Sequence, residues 1–147
     1  MRGIANCELR IANVEYEFHA PVLMNDLKAR TKKFTVDVLK FCAKLPVQTE
    51  FQMIRNQLVR CGSSVGANYR AVCRAKSSAD FVNKLSIVEE EADESAFWLE
   101  ILAELGMTEA TERGRLEREA NEIVAIMVAS RKTRRENEAT SQTRRAR

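Results

Sequence analysis

The strictest pattern in this 147-residue chain is a stripe of apolar and small residues that advances in alternating steps of four and three. Its members are Phe81, Leu85, Val88, Ala92, Ser95, Leu99 and Leu102. Such steps place side chains on one face of an α-helix, and they favour packing against near-parallel neighbours at about 20°. A fold built on this helix therefore needs further helices to cover its apolar face.

Three more segments carry stripes of this kind, and residues that cap or stop helices separate them. These boundary residues are Asp26, Pro46, Thr49 with Gln52, Ser77 with Asp80, Gly106, and Thr108 or Thr111. Only two prolines and five glycines occur, a composition that favours helix over sheet. Short connections between long helices predict an all-α fold, an antiparallel up-down-up-down four-helix bundle over residues 24–135.

The two ends of the chain lack a sustained apolar stripe. Residues 1–23 hold two copies of a short repeat, too few for a coiled coil, and are interpreted as an appendage. Translation could begin at Met1 or at Met24. Residues 136–147 have no periodic apolar residue and are predicted to form a disordered basic tail.

Two glycines interrupt the second helix without interrupting its stripe, which runs through Leu58, Cys61, Val65, Asn68 and Val72. A glycine inside a helix costs roughly 0.5–1 kcal/mol relative to alanine. Gly62 and Gly66 are spaced as in helices that approach a neighbour closely. We therefore expect a packing or assembly role for these glycines, with Asn68 as a polar group that needs a partner in or near the core and Tyr69 beside it.

Catalytic and metal-binding constellations are absent from the sequence. The four cysteines form no C-x-x-C pair, and His19 is the only histidine. No Glu-x-x-His pair of the kind that holds metals inside bundles occurs, and the carboxylates from Glu89 to Glu94 are typical of a solvated face. We expect no enzyme, no cofactor, no metal and no small-molecule substrate, and thiols that are reduced and packed.

No segment is apolar enough to span a membrane, and acidic residues near the N-terminus argue against a secretion signal. The sequence therefore predicts a cytoplasmic protein without a membrane partner. Aromatic residues are sparse on the first two helices, where Tyr69 is the single candidate for base stacking.

Charge is distributed unevenly along the chain. Residues 31–76 contain nine Lys or Arg against two acidic residues, residues 77–130 contain four against thirteen, and residues 131–147 contain seven against two. The first block could neutralise phosphates, although these residues could equally be ordinary solubilising charges. The candidates for nucleic-acid binding are Lys32, Lys33, Lys40, Lys44, Arg55, Arg60, Arg70, Arg74 and Lys76.

Basic and acidic helices on one bundle also suit a heterologous contact between copies, repeated around a ring. Phe97 and Trp98 are adjacent on the third helix and cannot both face one core. One of them is a candidate for a subunit interface, and Phe97 is equally consistent with a partly buried boundary position.

Three motifs together carry a family resemblance: Gln57–Ala71, Ser78–Ile87 and Glu91–Leu99. In this order they resemble the bacterial four-helix-bundle proteins encoded in intervening sequences of 23S ribosomal RNA genes, over about Met24 to Arg135. Many members have a proline in the middle of the second helix, where this chain has Val65 and Gly66. A bend there is therefore permitted but not forced.

The resemblance implies a small bundle that assembles into a ring, typically a homopentamer, in a family whose members mostly have no established activity. The family is similar in fold to the accessory variability protein of diversity-generating retroelements, a basic pentamer that binds reverse transcriptase and nucleic acid. We expect a non-enzymatic oligomer that binds RNA, or an RNA-associated protein, through its first two helices. The alternative is a purely structural or protein-binding oligomer without nucleic-acid contact.

Overall fold

The computed structural model describes residues 20–106 and 110–145, and these ranges form four α-helices and no strand. Helix α1 spans Ala20–Cys42 and α2 spans Thr49–Val72. Helix α3 spans Ser78–Glu104 and α4 spans Ala110–Arg145. The predicted all-α fold is confirmed for the described part of the chain, while residues 1–19 of the proposed appendage, with Cys7 and His19, lie outside it.

The helices form a closed four-membered arrangement in which α2 packs against α1 and α3, and α4 packs against α3 and α1. Side-chain contacts give the direction of neighbouring helices. The carbonyl of Leu99, late in α3, accepts a hydrogen bond from Arg113, early in α4. Ser78, at the start of α3, accepts one from Arg134, late in α4. Helices α3 and α4 therefore run in opposite directions, and the start of α3 and the late part of α4 share one end of the bundle, called the upper end here.

All four helices contribute to one core. The largest fully buried side chains are Phe34, Phe41, Ile54, Leu58, Leu85, Leu99, Leu102, Leu116, Ile123 and Met127. Burying one such side chain contributes about 1.5–3 kcal/mol before entropic costs. The α3 stripe is buried from Leu85 to Leu102, and Phe81 packs against its edge.

Two predicted helix boundaries of α3 are present as expected. The Ser77 hydroxyl accepts a hydrogen bond from the backbone N–H of Asp80 (3.1 Å) and caps the helix start. Gly106 has a φ of 72° just beyond the last turn of the helix, a conformation that favours glycine.

Two other boundary predictions need correction, and a third lies partly outside the described residues. Helix α1 begins at Ala20, so Asp26 lies inside it and is not its cap. Pro21 is compatible with this start because a first-turn N–H has no intrahelical partner. The residue that precedes α2 is Gln48, which makes no side-chain capping bond, so the expected Thr49–Gln52 box is not formed. Helix α4 begins at Ala110, and Thr108 lies outside the described residues.

The structure also differs from the disordered tail that the sequence predicts, because α4 continues to Arg145. Ion pairs one turn apart support this continuation: Lys132 with Glu136 at 4.0 Å and Arg134 with Glu138 at 3.8 Å. Good helix formers and local pairs extend the helix without an apolar stripe. No helix in the described ranges is both long and apolar enough to cross a membrane.

Candidate nucleic-acid interface

The nine predicted basic residues divide into structural cations and free cations. Arg55 is structural: its Nε donates to the carbonyl of Cys42 (3.1 Å), and its Nη2 donates to the carbonyls of Pro46 (2.7 Å) and Leu45. The carbonyl of Cys42 ends α1, and those of Leu45 and Pro46 lie in the connection that follows it. Arg55 is therefore committed to holding the α1–α2 connection.

Lys33 and Arg60 already have acidic partners. Arg60 forms an ion pair with Glu94 of α3, and this hydrogen-bonded contact raises the pKa of the guanidinium. Lys33 pairs with Asp37, which also accepts a hydrogen bond from Arg115 of α4 at 2.9 Å. Burial alone would raise the pKa of Asp37, but the hydrogen bonds from Lys33 and Arg115 outweigh burial and lower it. These cations are largely neutralised within the molecule.

The remaining six candidates are exposed, and none forms an ion pair within the described residues: Lys32, Lys40, Lys44, Arg70, Arg74 and Lys76. A methyl group placed on Gly66 would lie 3.5 Å from the Cα of Lys32, so Lys32 sits beside the C-terminal third of α2. Arg70 follows Gly66 by one helical turn, and Arg74 and Lys76 lie just past the end of α2, in its connection to α3. Lys32, Arg70, Arg74 and Lys76 therefore occupy the half of the α1–α2 pair nearer the upper end.

The two glycines of α2 lie where α1 crosses closest. An ideal Cβ on Gly62 would lie 2.6 Å from Cγ1 of Val38, and one on Gly66 would lie 2.7 Å from Oγ1 of Thr35. Thr35 was not singled out by sequence reasoning. Its Oγ1 donates to the carbonyl of Gly62 (2.8 Å) and accepts from the N–H of Gly66 (3.3 Å), which joins the two helices directly. The sequence offered one cue for this role: Thr35 stands one helical turn after Thr31, at the edge of the α1 apolar stripe, and Thr31 is buried in the structure.

The stripe in the sequence places Asn68 in the core and Tyr69 beside it, but the structure buries Tyr69 and leaves Asn68 half-buried. Asn68 is half-buried, and its Nδ2 donates to the carbonyl of Ser64 (2.9 Å) in its own helix. Tyr69 belongs to the core and is only 2% exposed. Its ring is therefore unable to stack on a nucleic-acid base, and any nucleic acid on this face meets charges and backbone rather than aromatic rings.

Phe97 and Trp98 face different surroundings. Their rings meet edge to face with centroids 5.0 Å apart. Trp98 packs against the core and its Nε1 donates to Glu94 (3.3 Å), whereas Phe97 is 49% exposed. Phe97 and Leu105, which is 50% exposed, lie two turns apart, with half-buried Ile101 between them. They form an apolar row on the outer side of α3.

The three cysteines of the described region are buried and free of disulfide bonds. Burial raises the pKa of Cys42 to about 12, and burial likewise raises the pKa of the Cys61 thiol. Ser95 donates its hydroxyl hydrogen to Cys61 Sγ (3.2 Å) inside the core. No three His, Cys, Asp or Glu side chains of the described residues come together as a metal site.

The acidic run on α3 is less solvated than the sequence indicates. Glu90 is exposed, but Glu89 and Glu91 are half-buried at the two flanks of the helix. Glu89 pairs with Arg131 of α4 at 2.7 Å, and burial raises the pKa of Glu91. Part of this run therefore helps to hold α3 against its neighbours.

These observations define a class: a four-helix bundle with one shared core, whose described surface carries many charges and several exposed apolar side chains. A family profile described as 23S rRNA-intervening sequence protein matches residues 25–129, and the chain belongs to this family. The sequence prediction of the family is thereby confirmed. The match ends before the basic residues that begin at Arg131.

A solved relative agrees with this assignment. The chain is similar to a protein of unknown function from the S23 ribosomal protein family of Bacteroides thetaiotaomicron VPI-5482, whose crystal structure was determined at 1.70 Å resolution. The two share 29% sequence identity with a TM-score of 0.68, over 74% of this chain and 97% of that chain. A comparison with curated proteins found no match.

Proposed function

We propose that this protein is a non-enzymatic helical scaffold of the cytoplasm that binds structured RNA through phosphate contacts from α1 and α2. The observation that carries this proposal is the group of exposed cations without ion-pair partners in the described residues, above all Lys32, Arg70, Arg74 and Lys76. A surface cation without an internal partner is available to replace the counterions of a nucleic acid.

The expected recognition is of shape and charge rather than of base sequence. Tyr69 is buried, so the α1–α2 face offers no aromatic platform for single-stranded bases. Double-stranded RNA is recognised mostly through its backbone and shape. A hairpin with a paired stem is therefore the appropriate probe.

Neutralising Arg70 and Arg74 tests the proposal without removing core contacts, because both side chains are exposed. Each lost phosphate contact reduces the slope of log K against log salt by about 0.7–0.9. The full-length variants Arg70→Gln and Arg74→Gln, singly and combined, should therefore bind the hairpin with progressively shallower salt dependence.

Arg118→Gln is the matched control, since Arg118 is an exposed arginine like Arg70 and Arg74 but lies on α4. Its salt dependence should equal that of the unmodified protein. Identical slopes for all variants would refute phosphate contacts from α2, and no binding of the hairpin at low salt would refute the proposed function.

A specific observation favours self-association as a second candidate function. The exposed apolar residues of α1, Val36 and Leu39, are surrounded by lysines: Lys32, Lys33, Lys40 and Lys44. The apolar row of α3, Phe97 and Leu105, is surrounded by exposed carboxylates: Glu90, Asp93, Glu100 and Glu104. Helices α1 and α3 are not adjacent in the described structure, so the two patches lie on opposite corners of the bundle.

We propose that the α1 patch of one copy contacts the α3 patch of the next. Such a heterologous contact generates a closed ring when the rotation between copies closes, and the family resemblance favours five copies. Phe97→Glu or Leu39→Glu should reduce the mass measured in solution at micromolar concentration, whereas Val128→Glu, at a residue 43% exposed on α4, should leave it unchanged. A monomeric unmodified protein would reject this contact.

A further inference from the structure

Helix α4 is longer than the bundle to which it belongs. Nε of Arg134 donates to Oγ of Ser78, the first residue of α3, at 2.5 Å. The following residues, 135–145, therefore continue past the described start of α3. At 1.5 Å per residue they extend by about 16 Å, and this segment is called the arm.

The arm has no apolar face. Between Arg135 and Arg144 its only apolar side chain is Ala139, and the hydroxyls of Thr140, Ser141 and Thr143 bond to carbonyls one turn earlier. A helix that is polar all round has nothing to bury in an apolar groove or a membrane interface. Its remaining means of binding are charge and hydrogen bonds.

The acidic side chains of the arm are paired within the molecule, whereas two of its arginines are not. Glu136 and Glu138 face Lys132 and Arg134 one turn back, at 4.0 and 3.8 Å. Arg135 and Arg144 are exposed and form no ion pair within the described residues. The available charge of the arm is therefore positive, and its two free arginines are about 14 Å apart along the helix axis.

The fold joins the arm to cations at the end of α2 and in the α2–α3 connection, which are distant from the arm in sequence. Ser78, which holds Arg134, follows Lys76 by two residues, and Arg74 precedes Lys76 by two. Asp80 in the same turn is occupied: it accepts hydrogen bonds from the Lys84 ammonium and from the backbone N–H of Lys76, which lower its pKa. Little unpaired negative charge separates the two groups of cations.

From this arrangement we infer that the arm and the end of α2 form one RNA-binding surface, the basic end, with Arg70, Arg74, Lys76, Arg135 and Arg144 as phosphate contacts. The inference rests on the proposed function and moves the centre of the site from the side of the bundle to its upper end. Arginine suits this task because its planar guanidinium binds phosphate oxygens in pairs. The family match stops at residue 129, so the arm is an addition to the matched bundle.

The test compares three full-length variants on one RNA hairpin with a paired stem, with binding measured across a series of salt concentrations. The variants are Arg135→Gln/Arg144→Gln, Arg70→Gln/Arg74→Gln, and Arg118→Gln as the control. Glutamine retains a high helix propensity, so the arm is expected to stay helical. Each double variant should reduce the log–log salt slope by about 1.4–1.8, and the control should not change it.

The outcomes separate the inference from the proposed function. A normal slope for Arg135→Gln/Arg144→Gln, with a reduced slope for Arg70→Gln/Arg74→Gln, refutes phosphate contacts from the arm. The proposed RNA site on α1 and α2 would then be retained. Normal slopes for both double variants overturn both proposals. Binding to vesicles that contain phosphatidylserine, without binding to the hairpin, also overturns both and assigns the surface to membranes.

Discussion

A single added methyl group at Gly66 should loosen the contact between α1 and α2. The new Cβ would lie 2.7 Å from Oγ1 of Thr35 and 3.1 Å from the carbonyl oxygen of Thr31. One neighbour is backbone, so the helices themselves must separate by a few tenths of an ångström. Overpacking of this kind costs about 1–3 kcal/mol, and a weakened Thr35–Gly62 hydrogen bond costs about 0.5–1.5 kcal/mol more. The higher helix propensity of alanine stabilises the folded protein by about 1 kcal/mol relative to glycine. The net expectation for Gly66→Ala is a loss of about 1–3 kcal/mol.

Gly114→Ala in α4 provides the matched control. A Cβ at Gly114 would meet only Nη1 of Arg118, at an ordinary contact distance of 3.6 Å. This variant should therefore gain up to about 1 kcal/mol from helix propensity alone. Urea unfolding followed by circular dichroism, at one protein concentration, measures both changes. Opposite signs are expected, and a Gly66→Ala protein as stable as the unmodified chain would refute the close crossing.

Three further predictions concern single side chains. Arg55→Gln should cost about 1.5–3 kcal/mol, because it removes charged hydrogen bonds to the end of α1; thermal unfolding without a change in midpoint would contradict this. Asp37 has a lowered pKa in the folded state, so it contributes stability above its ordinary pKa of 3.8 that is lost as the pH falls. Asp37→Asn should flatten the acid side of the stability profile, and an unchanged profile would refute the Asp37–Arg115 link. Iodoacetamide at pH 8 should leave Cys42 and Cys61 unlabelled in the folded protein, as peptide mass mapping can show.

The helices and most of the core were predictable because apolar spacing is a local property of the sequence. The α3 stripe is buried, as its steps of three and four require. Ser77 and Gly106 mark the two ends of that helix through a local capping hydrogen bond and a local positive φ. The start of α1 was missed because capping preference at Asp26 is a weak signal compared with continued helical backbone.

The partners of the cations could not be predicted, because they depend on which helices become neighbours. Arg55 and Arg70 look alike in the sequence, yet one closes the end of α1 and the other is exposed. Likewise, the charge blocks of the sequence predicted one basic side of the bundle, from residues 31–76, and one acidic side, from residues 77–130. The contact between Arg134 and Ser78 instead brings the late basic block to the end of α2.

The most direct test of the account is a salt titration of the unmodified protein with an RNA hairpin, from 50 to 200 mM salt. With the five phosphate contacts of the basic end, the log–log slope should lie at about −3.5 to −4.5. Affinity that stays constant across this range, or no binding at its lower limit, would contradict the assignment of this bundle as an RNA-binding scaffold.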